Sequence, residues 1–446
     1  MHGVRIDFPL KFAVIFSESD NILRRTVDKF IVCGGKRLNG TVVISGAKNA
    51  SLALMPACIL TNGTVRLSNT PVLRDVFTMS SLLTSMGMEI SFKDHVLTLN
   101  SRAVRRHEAP YEHVKKMRAS FYVLGPLIAR YGRAKVSLPG GCAWGPRPVN
   151  LHIDGMRKLG AHIDVQGGYV VASSKRLKGA KIHFDVSSVG ATANVLMAAV
   201  LASGTTVIEN AAIEPEVTTL AEFLRAMGAR IEGIGRNILG IEGVDELHPV
   251  DWTTIPDRIE AGTFLVAAAI TRGTITLRNV IPEFLSAVSA KLAEAGCTIE
   301  SGHDSMTIRA PEAITPVDVT TGIYPGFPTD MQAQWIALMS VAQGSSIVTD
   351  TIYFDRFKHV PEMVRLGADV EVKDNAAFVR GVHALTGAKV MSTDLRASAS
   401  LILAGLVASG TTEILRVYHL DRGYESIEEK LQALGADIQR VAGEEF

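Results

Sequence analysis

The chain repeats itself six times at intervals of roughly 70 residues, and a period of that kind marks repeated structural units. Each unit reads as an apolar helix closed by glycine, then a β-branched strand, then a second helix closed by Leu-Gly, Met-Gly or Ala-Gly. Gly63, Gly132, Gly204, Gly273, Gly344 and Gly410 close the first helices. Gly87, Gly160, Gly228, Gly296, Gly367 and Gly435 close the second. Glycine just past a helix end is the expected stop signal. The first helix of each unit is apolar nearly all round, as in Leu52-Ala53-Leu54-Met55, so it is expected to be buried on every side. The second is amphipathic. In the last unit Ile427, Leu431 and Leu434 share a face, with Glu428, Glu429 and Lys430 away from it. One helix inside and one outside, with strands between, gives an α/β fold.

Six units divide naturally three and three. The break is expected at His248 to Asp257, and the first strand, about Lys29 to Ala47, would join the C-terminal half if the chain crosses early. This division predicts an N-terminal extension over 1–28, one domain of 29–47 plus 256–446, and a second of 48–255. A chain of 446 residues has room for two or three domains. A net charge of +1 gives no bulk electrostatic argument for a nucleic-acid or membrane partner. The run Phe12 to Phe16 is too short for a secretory signal, and Val195 to Ala202 is far short of a membrane span. Cys33, Cys58, Cys142 and Cys297 are widely spaced with no CxxC pair, which argues against zinc or a disulfide framework and for a reducing, cytoplasmic setting. Cys58 and Cys297 read as core residues.

The segment Ser137 to Ile153 departs from this regularity. Gly140 and Gly141 free the backbone, and Pro146 and Pro148 stiffen it, so it reads as a loop with Cys142 near its tip. Water access and nearby cationic charge are the conditions that make a thiol reactive; an inert surface thiol is the plainer alternative. Polar residues open the apolar helices: Lys48-Asn49, Arg118, Ser188-Val189-Gly190, Asp257-Arg258, Thr329-Asp330 and Asp394 to Arg396. If those helices run parallel within each half, their N-termini converge, and helix N-termini attract anions. With Lys48, Arg118, Arg396 and Arg422 they would line a cationic cleft for a ligand carrying several phosphates or carboxylates. Simple pairing of Arg422 with Asp421, or of Arg258 with Asp257, would be the unremarkable alternative. Asp330 could merely cap its helix, and His152 and His419 read as structural. There is no P-loop, no strand–GxGxxG–helix and no GxSxG.

Eight segments, ISGAKNAS, KKMRASF, SLPGGCAWGPRPVNLHI, SSVGATAN, PDRIEAGTFLVAAAI, FPTDMQAQW, DLRASASLILAG and YHLDRGYESIEEKL, closely resemble the UDP-N-acetylglucosamine enolpyruvyl transferase family, in order from Lys29 to Val441. The resemblance implies two inside-out α/β barrel domains, each of three βαβαββ units, with the active site in the cleft between them. It implies transfer of the enolpyruvyl group of phosphoenolpyruvate to the 3′-hydroxyl of UDP-N-acetylglucosamine, opening peptidoglycan synthesis, with no metal or organic cofactor. No nucleic acid or membrane partner is expected, and the enzyme would be a monomer or weak homo-oligomer.

Carried over by motif, Lys48, Arg118, Arg147, Arg396 and Arg422 would hold phosphoenolpyruvate and the charge of the intermediate. Asn49 would orient the sugar. Cys142 would be the general acid, able to form a covalent phosphoenolpyruvate adduct and to be alkylated by fosfomycin. Asp330 would be the general base. Arg147, Pro148, Val149, Asn150 and Leu151, with Ser188, Val189 and Gly190, would contact the uridine diphosphate, and Ile352 the uracil side.

Three positions depart from the family pattern: Asn150 where Asp is common, Val186 where some members have Lys, and Phe354 where Glu is common. Those at Asn150 and Val186 leave room for another acceptor, a different nucleotide or shikimate 3-phosphate. A non-catalytic nucleotide-binding paralogue is the reading from another class.

Overall fold

A computed structural model describes residues 28–139 and 149–442. It holds six four-stranded sheets of one design. A short edge strand lies parallel to a second strand, which pairs antiparallel with a third, which pairs antiparallel with a fourth. In one sheet these are Glu108–Ala109, Arg133–Ser137, Tyr169–Ser173 and His162–Gln166. A buried helix precedes the second strand of each unit and an outer helix follows it, which gives the order βαβαββ.

Three strands are supplied out of sequence. Asp251–Thr253 lies beside Thr64–Ser68 as the edge of the first sheet. Asn39–Val43 lies parallel to Thr274–Arg278. Lys29–Cys33 takes the third place in the last sheet, between Thr411–Leu415 and Asp437–Val441. The early strands therefore pair with late chain, and the strand after residue 250 pairs with early chain. The hydrophobic interior follows the same division. One buried cluster runs from Leu52 to Leu247; the other joins Phe30 to Ile44 with Ile259 to Ile438.

Each cluster is built around three helices buried on nearly every face. Lys48–Ala57, Leu124–Tyr131 and Val189–Ala199 fill the first. Arg258–Ile270, Gln332–Met339 and Leu395–Gly405 fill the second. Backbones approach so closely here that a Cβ on Gly125 would lie 2.2 Å from the Asn194 carbonyl oxygen. All six glycines closing the outer helices have positive φ, from 87° to 111°, where other residues are strained. Asn69, Asn210 and Asn279, also at positive φ, each donate a side-chain N–H to a carbonyl on the adjoining edge segment, at 2.7–2.8 Å.

The last outer helix, Ile427–Ala433, turns Ile427, Leu431 and Leu434 inward as its pattern requires. Glu428 is buried as well, and Lys430 reaches inward to Glu260 Oε1 (2.5 Å) and Ser45 Oγ (2.7 Å). Partners supplied by other elements draw in these charges, which the helix period alone assigns to solvent. Cys58 and Cys297 are buried, and burial pushes the Cys58 thiol well above its ordinary range and Cys297 up to about 11. Among the described residues, no helix is long and apolar enough to cross a membrane.

Candidate active site

Two short crossings join the buried clusters, and Asp257 fastens both. Its Oδ1 accepts from the backbone N–H groups of Ile259 (2.8 Å) and Glu260 (3.0 Å), capping its own helix. Its Oδ2 accepts from the Lys48 N–H (3.0 Å), at the first turn of a helix in the other cluster. The Lys48 amine feels the charge of Asp75 in its own half and of Arg396, Asp330 and Arg422 in the other. Burial lowers its pKa, with the charges of Arg396 and Arg422 acting in the same sense and those of Asp75 and Asp330 opposing. Asn49 follows it, half-buried.

Asp330 lies in a one-turn 3₁₀ segment, Thr329–Met331, that runs into Gln332–Met339. Its carboxylate caps no helix. Oδ1 accepts from Arg356 Nη2 (2.6 Å) and Oδ2 from Arg396 Nη2 (2.7 Å). Burial alone would raise its pKa, but Arg396, Arg356 and Lys48 together hold it well below the ordinary carboxylate range. Arg396 is positioned by Asp394, whose Oδ1 accepts from the N–H groups of Arg396 and Ala397 and caps Leu395–Gly405. Arg396, 5% exposed, also donates from Nη1 to the Tyr424 hydroxyl at 3.2 Å.

Arg422 ends the 3₁₀ segment Val417–Arg422 and donates to Asp75, Nε to Oδ1 at 2.9 Å. Asp75 belongs to the outer helix Arg74–Ser85 of the first half, so this pair spans the two clusters. Arg258 does the same toward Glu216, Nε to Oε1 at 3.1 Å. Neither arginine takes the neighbouring aspartate that sequence suggests: Asp257 is occupied with capping, and Asp421 receives two 2.7 Å bonds from Arg440. Arg440 also holds Asp28, Nε to Oδ2 at 2.8 Å, which ties the residue before the first strand to the last strand.

The remaining sequence-derived residues gather on the first half. Arg118 opens the 3₁₀ segment Arg118–Val123, half-buried, and its charge acts on both Tyr122 and His152. His152 is buried. Its Nδ1 lies 3.1 Å from Asn194 Nδ2, and burial, then Arg118, pushes it down to about 3, so it is neutral. Ser188 caps Val189–Ala199 by accepting from the Ala191 N–H at 3.3 Å. Gly190 lies so close to His152 that a Cβ would be 3.1 Å from the ring. Val149 is nearly buried, Asn150 opens the helix Asn150–Lys158 in an exposed position, and Leu151 is half-buried. Val186 and Phe354, two of the three departures, are 62% and 69% exposed. Ile352 is half-buried in a turn organised by Asp350. Cys142, Arg147 and Pro148 lie outside the described residues.

Asp350, Asp75, Arg356, Tyr424 and Glu216 are the residues that sequence reasoning missed. Asp350 is fully buried; its Oδ1 accepts from Thr321 Oγ1 (2.8 Å) and the N–H groups of Ile352 and Tyr353 (2.9 Å each), and its Oδ2 from Thr329 Oγ1 (2.7 Å). A signal for it existed. Asp350 directly follows the strand Ser345–Thr349, the position that Asn69, Asn210 and Asn279 hold after their own strands. Among the described residues, no group of three His, Cys, Asp or Glu side chains is arranged to hold a metal ion.

The fold is that of known enolpyruvyl transferases. A family model described as EPSP synthase (3-phosphoshikimate 1-carboxyvinyltransferase) matches residues 32–431. The structure is similar to that of the enolpyruvyl transferase NikO from Streptomyces tendae, with a TM-score of 0.85 and 27% identity over 94% of this chain and all of that one. It shares the fold of EPSP synthase from Acinetobacter baumannii, with a TM-score of 0.72 and 20% identity over 93% of this chain. Curated proteins named UDP-N-acetylglucosamine 1-carboxyvinyltransferase are closer in sequence. That of Chloroherpeton thalassium is 58% identical over 94% of this chain and 99% of its own length. That of Prosthecochloris aestuarii is 57% identical over 94% and 100%. The chain belongs to the EPSP synthase family of carboxyvinyl transferases.

Proposed function

We propose that the chain transfers the enolpyruvyl group of phosphoenolpyruvate to the 3′-hydroxyl of UDP-N-acetylglucosamine and releases phosphate, the committed step of peptidoglycan synthesis, in the cytoplasm. The acceptor follows from the names of relatives 55–58% identical to it. The observation that carries the chemistry is Asp330 held between Arg356 and Arg396 (2.6 and 2.7 Å), with Lys48 beside them and Arg422 bridging the two halves. The two buried clusters are read as two domains, 29–47 with 256–446 and 48–255, which close on the substrates. The enzyme acts as a monomer or weak homo-oligomer.

Lys48, Arg118, Arg147, Arg396 and Arg422 neutralise phosphoenolpyruvate. In a site shielded from water each cation counts for more than in bulk solvent. Asp330 takes the proton of the sugar hydroxyl as its oxygen bonds to C2 of phosphoenolpyruvate. Cys142 delivers a proton to C3, giving a tetrahedral adduct. Loss of a proton from that carbon then expels phosphate and restores the double bond. Asn49 orients the sugar. Val149, Asn150 and Leu151, with Arg147 and Pro148, hold the nucleotide beside Ser188, Val189 and Gly190, and Ile352 lies on the uracil side.

The ion pairs on Asp330 have a consequence for this scheme. A carboxylate bonded to two guanidinium groups is a weak base, and the negative charge of phosphoenolpyruvate bound beside Arg396 makes Asp330 a stronger one. The test of the acid is fosfomycin. Pre-incubation should abolish phosphate release and add one fosfomycin mass at Cys142, and Cys142→Ser should lose both turnover and labelling. Full turnover in a labelled protein would remove Cys142 from the chemistry.

A further inference from the structure

We propose that Tyr424 is a positioning residue: its hydroxyl holds the Arg396 guanidinium in register with Asp330 and ties the Arg422 turn to all three buried helices of the second half. The proposal rests on Arg396 and Arg422 binding phosphoenolpyruvate.

Tyr424 is 2% exposed and lies two residues beyond Arg422. A phenol oxygen has one hydrogen and two lone pairs. Arg396 Nη1 donates to it at 3.2 Å, and Gln334 Nε2 donates to it at 3.2 Å. Thr263 Oγ1 lies 2.9 Å away, and the Thr263 hydroxyl hydrogen is directed to the Ile259 carbonyl at 2.8 Å, so the phenol donates to Thr263. Each of the three partners stands on a different buried helix: Thr263 on Arg258–Ile270, Gln334 on Gln332–Met339 and Arg396 on Leu395–Gly405.

The bonds close into a ring. Gln334 Nε2 also donates to the Asp330 carbonyl at 3.0 Å, and Arg396 Nη2 donates to Asp330 Oδ2 at 2.7 Å. Asp330 thus receives one bond from each residue that Tyr424 accepts from. Within it the neutral phenol supplies geometry rather than charge. The Arg396 guanidinium lies 5.6 Å from the Tyr424 ring centroid, and burial raises the phenol pKa, which keeps its donor hydrogen in place. On the other side of Arg422, Asp421 is held by both Nη atoms of Arg440. The turn carrying Arg422 is therefore clamped before and after it, and of the two clamps only Tyr424 reaches the reacting groups.

The experiment compares the full-length protein with Tyr424→Phe and Thr263→Val, measuring melting temperature, kcat, the KM of each substrate, and phosphoenolpyruvate binding by calorimetry. Tyr424→Phe keeps the ring and removes the hydroxyl. A hydrogen bond to a charged group is worth about tenfold or more in binding, so the expected result is a phosphoenolpyruvate KM raised about tenfold with kcat lowered. The UDP-N-acetylglucosamine KM should stay within about twofold. Thr263→Val should give the same split at smaller size, since Arg396 keeps its acceptor there. A phosphoenolpyruvate KM and kcat both within about twofold of wild type would overturn the proposal. So would a lowered melting temperature with both KM values moving together. If Tyr424→Phe does not fold, Thr263→Val decides by the same criteria. Failure of the wild-type protein to release phosphate from the two substrates would instead remove the functional reading, and calorimetry would still report the role of Tyr424.

Discussion

Asp330 begins its cycle with each carboxylate oxygen already bonded to an arginine. Because those arginines favour the charged form, its pKa lies below the ordinary aspartate value of 3.8, and the free protein should show no acid limb in kcat/KM attributable to it down to about pH 4. Replacing it with Asn should lower kcat by about 10² to 10⁴, the usual worth of a positioned base, as read by phosphate release. Buried and half-buried histidines set a separate pH dependence, in stability. His152 is pushed down to about 3, and His359 and His419 to about 4, chiefly by burial. With folded pKa values below those of the unfolded chain, they favour the fold fully above the ordinary histidine range, and this contribution is lost as pH falls toward 4. Melting temperature should therefore drop between about pH 6.5 and pH 4, and His152→Gln should flatten part of that slope. A slope unchanged in the variant would place the proton uptake elsewhere.

Helix and strand order was legible from the glycines, because each outer-helix glycine fills a left-handed position that other residues occupy only under strain. The helix period likewise located the apolar faces. It misplaced Glu428 and Lys430, since a period counts residues and cannot see that Glu260 and Arg440 wait on the inner side. The buried helices also pack more tightly than composition reveals. A Cβ at Gly125 would meet the Asn194 carbonyl at 2.2 Å and its Oδ1 at 2.5 Å, both on a neighbouring buried helix. Gly125→Ala should cost about 1–3 kcal/mol, the usual range for overpacking a core, and denaturant unfolding would measure it. An unaltered midpoint would mean that these two helices can part without penalty.

The two hydrophobic interiors are linked by charges that stand far apart in sequence: Arg422 with Asp75, Arg258 with Glu216, and Asp257 with the Lys48 N–H. This explains which part of the site could be read in advance. Residues opening the buried helices, such as Lys48 and Arg396, announce themselves by a cation where the helix dipole disfavours one. Asp75 and Glu216 look like ordinary acids in the first turns of outer helices, and only the closure of the fold gives them arginine partners. If these links couple the halves, Asp75→Ala combined with Glu216→Ala should split a single calorimetric unfolding transition into two; one sharp transition would show that the halves are coupled by other contacts. The central claim is the reaction itself, and the most direct measurement is phosphate release from phosphoenolpyruvate with UDP-N-acetylglucosamine or shikimate 3-phosphate as acceptor, with the product weighed by mass spectrometry. The account predicts phosphate only with the UDP-sugar and a product heavier by one enolpyruvyl group; release with shikimate 3-phosphate instead, or with neither, would contradict it.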